Sequence, residues 1–421
     1  MKNNFNSKEV VASHLLKAIL PFQWVYACCG LALPPTLMQT TYKDKSNKFA
    51  VVILWIFFIL YSVMVFTIIC YMVHYNNVST DIMVNLYGLD CVTRTLAIIQ
   101  NSGVPLVQLA IVLSTLAQRQ RLINIYSTIN QLEQDILLFL KNNEYVTTWM
   151  QFSQRCSGFG RHIFYRCALC DMVYFFSLFY TKYPVIWKVL PYRDQYLTLI
   201  SFHLMLVKFA AFRVMMYVMY EFINVMEQSL GDIKNENIVR RNFLATGEGK
   251  SSCYKKLLQH QILLSHVWSL AHEIENYFSL PMLVLFLYYG ANITHVINWM
   301  YIKSFVRYGK DINTPYRFCY LILLFVNILW TCWLSQMCID KYNRIAAVLS
   351  GLKLNINDKA LKNRHREYTL EFKHQKLLFT CWGFFDLNLK YFGLMVLAIM
   401  TYVFILIQFK LQTETEKATR L

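Results

Sequence analysis

The stretch "TYVFILIQFK", Thr401 to Lys410, closes a long apolar run near the end of the chain. On a helix that advances by about 100° per residue, Thr401 and Gln408 lie about 20° apart and share one face. Phe404 and Ile405 flank that face, and Tyr402 and Phe409 form the adjacent stripe. Such a face can line a water-filled pore or make hydrogen bonds between packed helices. Periodicity alone favours packing and leaves the pore as the alternative.

Six further apolar runs precede this one. The chain has 421 residues, of which 56% are hydrophobic and 15% are charged. A spanning helix needs roughly 20 apolar residues, and this length predicts spans at 49 to 71, 96 to 117, 161 to 181, 197 to 222, 277 to 302, 316 to 340 and 387 to 409. The sequence therefore predicts an all-α membrane protein with a seven-helix transmembrane domain over residues 49 to 409.

The basic residues predict the orientation of these spans. The segments before the first span and in the three even-numbered loops hold 25 Lys and Arg, whereas the opposite side holds 10. Basic residues accumulate in the cytoplasm, so we expect the N-terminus inside and the C-terminus outside, inverted relative to a G-protein-coupled receptor. The same rule accounts for the net charge of +17 without a nucleic-acid partner. The sequon at Asn77 then lies outside, as glycosylation requires.

The segments between the spans predict a helical base in the cytosol. Residues 1 to 48 are expected to be cytosolic and to contain a prelude helix within Ser13 to Leu33, which lacks the features of a signal peptide. Apolar periodicity in Asn130 to Leu140 predicts a packed amphipathic helix. Residues 341 to 386 are expected to form a cytosolic anchor, and 410 to 421 a short extracellular tail. The polar stretch Gly231 to Lys256 is the best candidate for a disordered loop.

Catalytic and metal-binding motifs are not evident in the sequence. The ten histidines are scattered, and we find no nucleotide-binding glycine loop. Cys167 and Cys170 have the spacing of a redox or metal pair, but they lie inside a predicted span without a second pair. We interpret them as small residues compatible with an apolar setting. The sequence therefore predicts neither an enzyme nor a cofactor.

Asp171 and Lys208 fall near the middle of the third and fourth predicted spans. A charge inside the membrane costs at least roughly 2.5 to 3.5 kcal/mol unless it is paired or hydrated. We therefore expect these two side chains to pair across the two helices or to face an aqueous cavity. The alternative is that the helices are misplaced and one charge reaches an interface.

Aromatic side chains crowd the outer half of several spans. Most are expected to be packing and interface residues, but an apolar cavity with a few polar groups is also the usual form of a small-molecule site. The ligand-binding candidates are Phe176, Phe179, Tyr180, His203, Tyr289, His295, Trp299 and Tyr320.

The C-terminal motifs resemble those of one known family. "TYVFILIQF", Thr401 to Phe409, is similar to the seventh-helix signature of the insect gustatory receptors, namely Thr-Tyr, five hydrophobic residues and Gln-Phe. "WGFFDLNLKYF", Trp382 to Phe392, resembles the aromatic-rich segment that leads into that helix. Only about the last fifth of the chain carries these motifs.

The resemblance implies a tastant-gated, non-selective cation channel of four subunits in the plasma membrane of chemosensory neurons. Gln408 and Phe409 would occupy the gate positions, and Thr401 and Tyr402 the supporting positions on the same helix. Lys390 lies on the Thr401 face, where a cation pore disfavours it, and is expected in the cytosolic vestibule or anchor. The ligand class is open, with bitter or aversive compounds preferred over sugars. The alternatives are an obligate co-receptor subunit, a G-protein-coupled receptor, and a transporter or membrane enzyme.

Overall fold

The fold is described from a computed structural model, which covers residues 13–28, isolated residues between 52 and 71, and 91–189, 192–242, 248–301, 314–352 and 359–419. Ten helices are labelled here in chain order: α1 His14–Cys28, α2 Cys91–Ala117, α3 Arg119–Asn142, α4 Val146–Ile163, α5 Leu169–Val189, α6 Tyr192–Asn242, α7 Glu248–Tyr301, α8 Thr314–Ser350, α9 Lys359–His374 and α10 Leu389–Thr419. A π-helical turn, Phe164–Ala168, joins α4 to α5. Two short strands, β1 Thr380–Cys381 and β2 Phe385–Asp386, form an antiparallel hairpin before α10.

Three of the helices are much longer than a bilayer is thick. α6, α7 and α8 contain 51, 54 and 37 residues, or about 77, 81 and 56 Å at 1.5 Å per residue. The hydrocarbon core measures only about 30 Å, so each helix continues well beyond it, as the sequence predicted. Length and composition alone mark Cys253–Tyr301, Thr314–Ser350 and Leu389–Phe409 as candidate spans among the described residues, together with the shorter apolar helix Leu106–Ala117.

The prediction of a disordered loop at Gly231 to Lys256 is wrong for most of that stretch. α6 continues to Asn242 and α7 begins at Glu248. The Lys256 ammonium lies 2.9 and 3.0 Å from the two carboxylate oxygens of Glu236. Both side chains belong to polar helix ends that look loop-like in the sequence, but the ion pair joins the two helices.

The base of the molecule contains α1, α3 and α4 packed together. The buried Glu133 carboxylate of α3 accepts hydrogen bonds from the Ser13 hydroxyl and from the backbone N–H groups of His14 and Leu15. The two N–H groups belong to the first turn of α1, where backbone donors have no partner within the helix. The prelude helix is thereby confirmed over His14–Cys28. The amphipathic helix is also confirmed, since Leu132 and its neighbours on the same face of α3 are buried.

The C-terminal segment differs from its predicted boundaries in two ways. Residues 380–386 form the hairpin, where the sequence suggested helix, and α10 begins at Leu389. α10 then continues to Thr419, past the predicted limit at 409, so most of the expected tail is helical. The predicted first span lies largely outside the described residues, and the Asn77 sequon lies entirely outside them.

Candidate functional site

α10 contacts its own subunit through one narrow stripe. Met395, Ile399, Val403 and Leu406 are buried and lie within about 80° of one another around the helix axis. In the apolar 18-residue stretch that marks α10 as a candidate span, only 22% is buried. The corresponding stretches of α7 and α8 are 61% and 44% buried. The predicted gate residues all lie on the exposed remainder: Thr401, Tyr402, Phe404, Ile405, Gln408 and Phe409. Most of the surface of α10 is thus free to contact water, lipid or other subunits.

The N-terminal end of α10 is held by a helix cap and by ring stacking on the hairpin. The Asn388 side-chain oxygen accepts a hydrogen bond of 2.8 Å from the Tyr391 N–H, which makes Asn388 an N-cap. The Tyr391 ring stacks on Phe385 of the hairpin at 3.8 Å between centroids and 3° between planes. Lys390 is exposed in the first turn of the helix. The location of Lys390 in a cytosolic vestibule or anchor stays a prediction.

The predicted pairing of Asp171 with Lys208 is wrong, because the Asp171 carboxylate pairs with the Arg213 guanidinium. Arg213 is fully buried, donates a second hydrogen bond of 2.6 Å to the Asn327 side chain, and lies 4.3 Å from the centroid of the Trp330 ring. The pair does connect α5 with α6, as predicted. Lys208 and Arg213 are five residues apart and point about 140° away from each other, so only Arg213 faces α5.

Lys208 lies in a separate buried environment made of hydroxyl groups and aromatic faces. Its ammonium is 3.4 Å from the Thr115 hydroxyl and 3.3 Å from the Tyr277 hydroxyl. It also lies 4.4 Å from the Tyr277 ring centroid and 5.0 Å from that of Phe278. Cation–π contacts and hydroxyl oxygens are what stabilise a desolvated ammonium that has no carboxylate partner. This cluster joins α2, α6 and α7.

Two of the predicted ligand residues, Tyr289 and Tyr320, are buried inside the helix bundle. The Tyr320 hydroxyl accepts a hydrogen bond of 2.7 Å from the Asn292 amide, whose oxygen accepts one of 3.0 Å from Gln100. Tyr289 packs edge-on against Phe209 at 5.0 Å between centroids. α2, α6, α7 and α8 thus contribute to one aromatic region with a few polar groups.

The other predicted ligand residues are not all in this region. Phe176 and Tyr180 are 65% and 66% exposed, and Tyr180 contacts Tyr316 on the outside of the subunit. Phe179 is half-buried and lies beside Phe175. His295 stacks on Trp299 at 6.3 Å, while the side chain of His203 lies outside the described part of the chain. Because α5 is rotated to place Asp171 inside, Phe176 and Tyr180 face outward.

A further buried cluster lies in the helical base, and the sequence did not predict it. His260 contacts the Met226 carbonyl oxygen through Nε2 at 2.9 Å and the Tyr368 hydroxyl through Nδ1 at 2.8 Å. A carbonyl can only accept, so Nε2 carries the proton and Nδ1 accepts from Tyr368. Burial raises the pKa of the Tyr368 phenol, which keeps it a donor. Apolar periodicity in α9 was the available signal, and it does not identify a partner 108 residues away.

Comparison with known proteins places these features in a family. A sequence model described as 7tm Chemosensory receptor matches residues 19–413. The chain is 29% identical to the Drosophila melanogaster protein named "Putative gustatory receptor 98b" over 413 residues, which cover 95% of this chain and 96% of the relative. It is 40% identical to "Putative gustatory receptor 98c" of the same organism over 159 residues, which cover 37% of this chain and 38% of that protein.

A solved structure shares the fold. The insect olfactory receptor OR5 from Machilis hrabei in complex with eugenol matches 94% of this chain and 98% of its own, with a TM-score of 0.66 and 12% identity. The prediction of an all-α, seven-helix transmembrane protein is therefore confirmed, as is the resemblance to gustatory receptors. From the match over nearly its whole length, the chain belongs to the 7tm chemosensory receptor family.

Proposed function

We propose that this chain is a gustatory receptor subunit that opens a non-selective cation pore when a small tastant binds. In this proposal four subunits surround a central pore, and α10 of each lines it. The observation that carries the proposal is the exposure of α10, whose polar residues Thr401 and Gln408 lie on the face that its own subunit leaves uncovered. A lipid-facing helix has no need of a polar pair on one face, whereas a pore helix does.

The side chains of that face suit a gate. Gln408 and Thr401 can hydrate an ion, whereas Phe404, Ile405 and Phe409 can close the path by excluding water. Tyr402 lies beside them and would support the neighbouring subunit's helix. Val403 and Leu406 keep α10 attached to its own subunit, so movement of that subunit would reach the gate directly.

We place the tastant in the aromatic region beside Tyr289 and Tyr320. OR5, which shares the fold, binds eugenol, so the fold accepts a small organic ligand. The polar groups next to Tyr320, on Asn292 and Gln100, are bonded to each other. An aromatic lining whose polar groups are already engaged suits bitter or aversive compounds better than sugars. His295 and Trp299 are the remaining candidates for this lining.

The location follows from the same proposal. The receptor would lie in the plasma membrane of chemosensory neurons, with its N-terminus and the extensions of α6, α7 and α8 in the cytosol. There, α9 and the long helices would form the base that holds the four subunits together.

The direct test is to express the chain alone and with candidate partner receptors, and to record tastant-evoked currents with G-protein signalling blocked. We expect a cation current whose ion selectivity changes when Gln408 is substituted. A current that disappears when G-protein signalling is blocked would refute the proposal that this chain forms a channel. A current that appears only with a partner, and with ligand specificity set by that partner, would make this chain a co-receptor.

A further inference from the structure

α1 lies against α4 in a contact that a glycine makes possible. A Cβ atom added at Gly160 would lie 3.3 Å from the Cβ of Ala18 and 3.5 Å from its Cα, so a larger residue at position 160 would crowd α1. Further along, the Tyr26 side chain of α1 lies within electrostatic range of the Cys167 side chain in the π-helical turn. The two contacts follow in the same order in both segments, so the segments run parallel and side by side.

This packing places two basic side chains on one surface. In parallel helices that touch at Ala18 and Gly160, the residue before the first contact position and the residue after the second point to the same side, each about 100° from the line that joins the helices. Those residues are Lys17 and Arg161, and both are exposed. Neither α1 nor the segment 146–168 contains an aspartate or a glutamate. No acidic residue of either segment therefore offsets the positive charge of their shared surface.

The same surface becomes apolar towards the C-terminal ends of both segments. Tyr165 and Leu169 follow Arg161 and are 58% and 44% exposed. In α1, Trp24 follows Lys17 by about two turns and is 43% exposed. At 1.5 Å per residue, Leu169 lies about 12 Å beyond Arg161. Such an order of basic, aromatic and aliphatic side chains is typical of a surface that crosses from the lipid headgroups into the hydrocarbon.

We infer that Lys17 and Arg161 together bind the phosphate-bearing headgroup of an acidic phospholipid. Its acyl chains then lie along Tyr165 and Leu169. Charge complementarity selects this occupant, because the cytoplasmic leaflet carries acidic phospholipids and attracts basic segments next to a span. The inference rests on the proposed function for its orientation, in which the helical base lies in the cytosol. The Arg161 guanidinium suits a phosphate, since it can donate two parallel hydrogen bonds to the phosphate oxygens.

Such a lipid joins α1 to α4. The N-terminal end of α1 is tied to Glu133 of α3, and the close packing at Gly160 holds the middle of the helix. A headgroup held by one basic residue from each helix binds only the packed arrangement, and a ligand that binds only the folded form stabilises it. We therefore expect the receptor to be more stable when acidic lipid is present.

Native mass spectrometry of the full-length receptor, purified in detergent, tests the site. Dioctanoyl phosphatidylserine or dioctanoyl phosphatidylcholine is added to the wild type and to the double variant Lys17→Gln/Arg161→Gln. The control Lys362→Gln/Arg366→Gln removes the same two types of charge from exposed positions of α9. We expect the wild type and the control to prefer phosphatidylserine. The double variant should bind it about 30-fold more weakly, since each Lys or Arg at an acidic membrane surface contributes about fivefold in affinity.

Equal binding of the two lipids by the wild type would overturn the inference. An equal loss in the control variant would also overturn it, because it would show only a general effect of charge. Glycerophosphoserine, the same headgroup without acyl chains, separates a lipid site from a site for a soluble phosphate ester. It should not displace phosphatidylserine at equal concentration, and displacement would rule out the lipid as the occupant. Lys17→Arg/Arg161→Lys keeps both charges and should keep the preference; loss of the preference there would contradict selection by charge.

Thermal unfolding separates binding from folding. Because both substituted side chains are exposed, the wild type and the double variant should have the same melting temperature in phosphatidylcholine alone. Only the wild type should gain stability when phosphatidylserine is added, and an equal gain in both would overturn the inference. Loss of tastant-evoked currents under G-protein block, with phosphatidylserine binding intact, would refute the proposed channel and leave the lipid site standing. The two failures are therefore distinguishable.

Discussion

The ion pair between Asp171 and Arg213 gives the sharpest test of the packing described here. Truncating Asp171 to Ala leaves the Arg213 guanidinium buried, with the Asn327 amide oxygen and the Trp330 ring as its remaining contacts among the described residues. Removing one partner of a buried pair typically costs about 3–5 kcal/mol. Because these two contacts remain, we expect Asp171→Ala to destabilise the receptor by about 3 kcal/mol, at the lower end of that range.

The opposite truncation should cost less. The Asp171 carboxylate can become neutral by taking up a proton, whereas the Arg213 guanidinium keeps its charge, so an orphaned Asp171 costs less than an orphaned Arg213. We expect Arg213→Met to cost about 1–3 kcal/mol. The double variant removes both charges and leaves neither orphaned, so it should be more stable than Asp171→Ala alone.

This order can be measured by thermal unfolding of the purified receptor, with size-exclusion chromatography used to detect the folded fraction. The expected order of melting temperature is wild type first, then Arg213→Met and the double variant, with Asp171→Ala last. Losses that simply add in the double variant would refute the coupling. Rescue of Asp171→Lys by Lys208→Asp, but not by Arg213→Asp, would show that the sequence-based pairing is right and the structural one wrong.

Three further predictions follow from the described contacts. Lys208→Met should leave the melting temperature unchanged or raise it, because it removes an ammonium that has no carboxylate partner among the described residues while conserving volume; a fall of several degrees would show that the cluster around Lys208 depends on its charge. Phe409→Ala should raise the basal current, and substitutions of Gln408 should change ion selectivity, whereas Val403→Ala on the buried face should leave ion selectivity unchanged; unchanged permeation in the first two, at normal surface expression, would remove α10 from the pore. Tyr368→Phe leaves a buried imidazole nitrogen without its donor and should destabilise the helical base by about 1–3 kcal/mol, as measured by limited proteolysis of α9; equal proteolysis rates would contradict a stabilising role for this hydrogen bond.

Hydropathy and periodicity predicted what depends on one segment at a time. The apolar run that ends at Phe409, the prelude helix and the amphipathic face around Leu132 all appear as predicted, because burial of a helix face leaves a local pattern in the sequence. The polar stretch between α6 and α7 was misjudged for the same reason. Its composition resembles a loop, but the first helix continues to Asn242 and the second begins at Glu248, and an ion pair between Glu236 and Lys256 joins them.

The sequence predicted the residue types of the candidate ligand site but not their arrangement. Tyr289 and Tyr320 lie together inside the bundle, whereas Phe176 and Tyr180 face outward. Which aromatic residues converge depends on the rotation of α5 about its axis. The position of Asp171 indicates that rotation only once its partner is known.

The sequence by itself determined that this is a seven-helix membrane protein, which way its basic loops point, and which residues of the last helix share a polar face. Those properties follow from composition and from the fixed angle between successive residues of a helix. The tertiary structure alone decided that Asp171 pairs with Arg213, that Lys208 lies among hydroxyl groups and aromatic rings, and that α1 packs alongside α4 at Gly160. Each of these depends on which helices are neighbours and how they are rotated, and residues far apart in the chain leave no local pattern that records it.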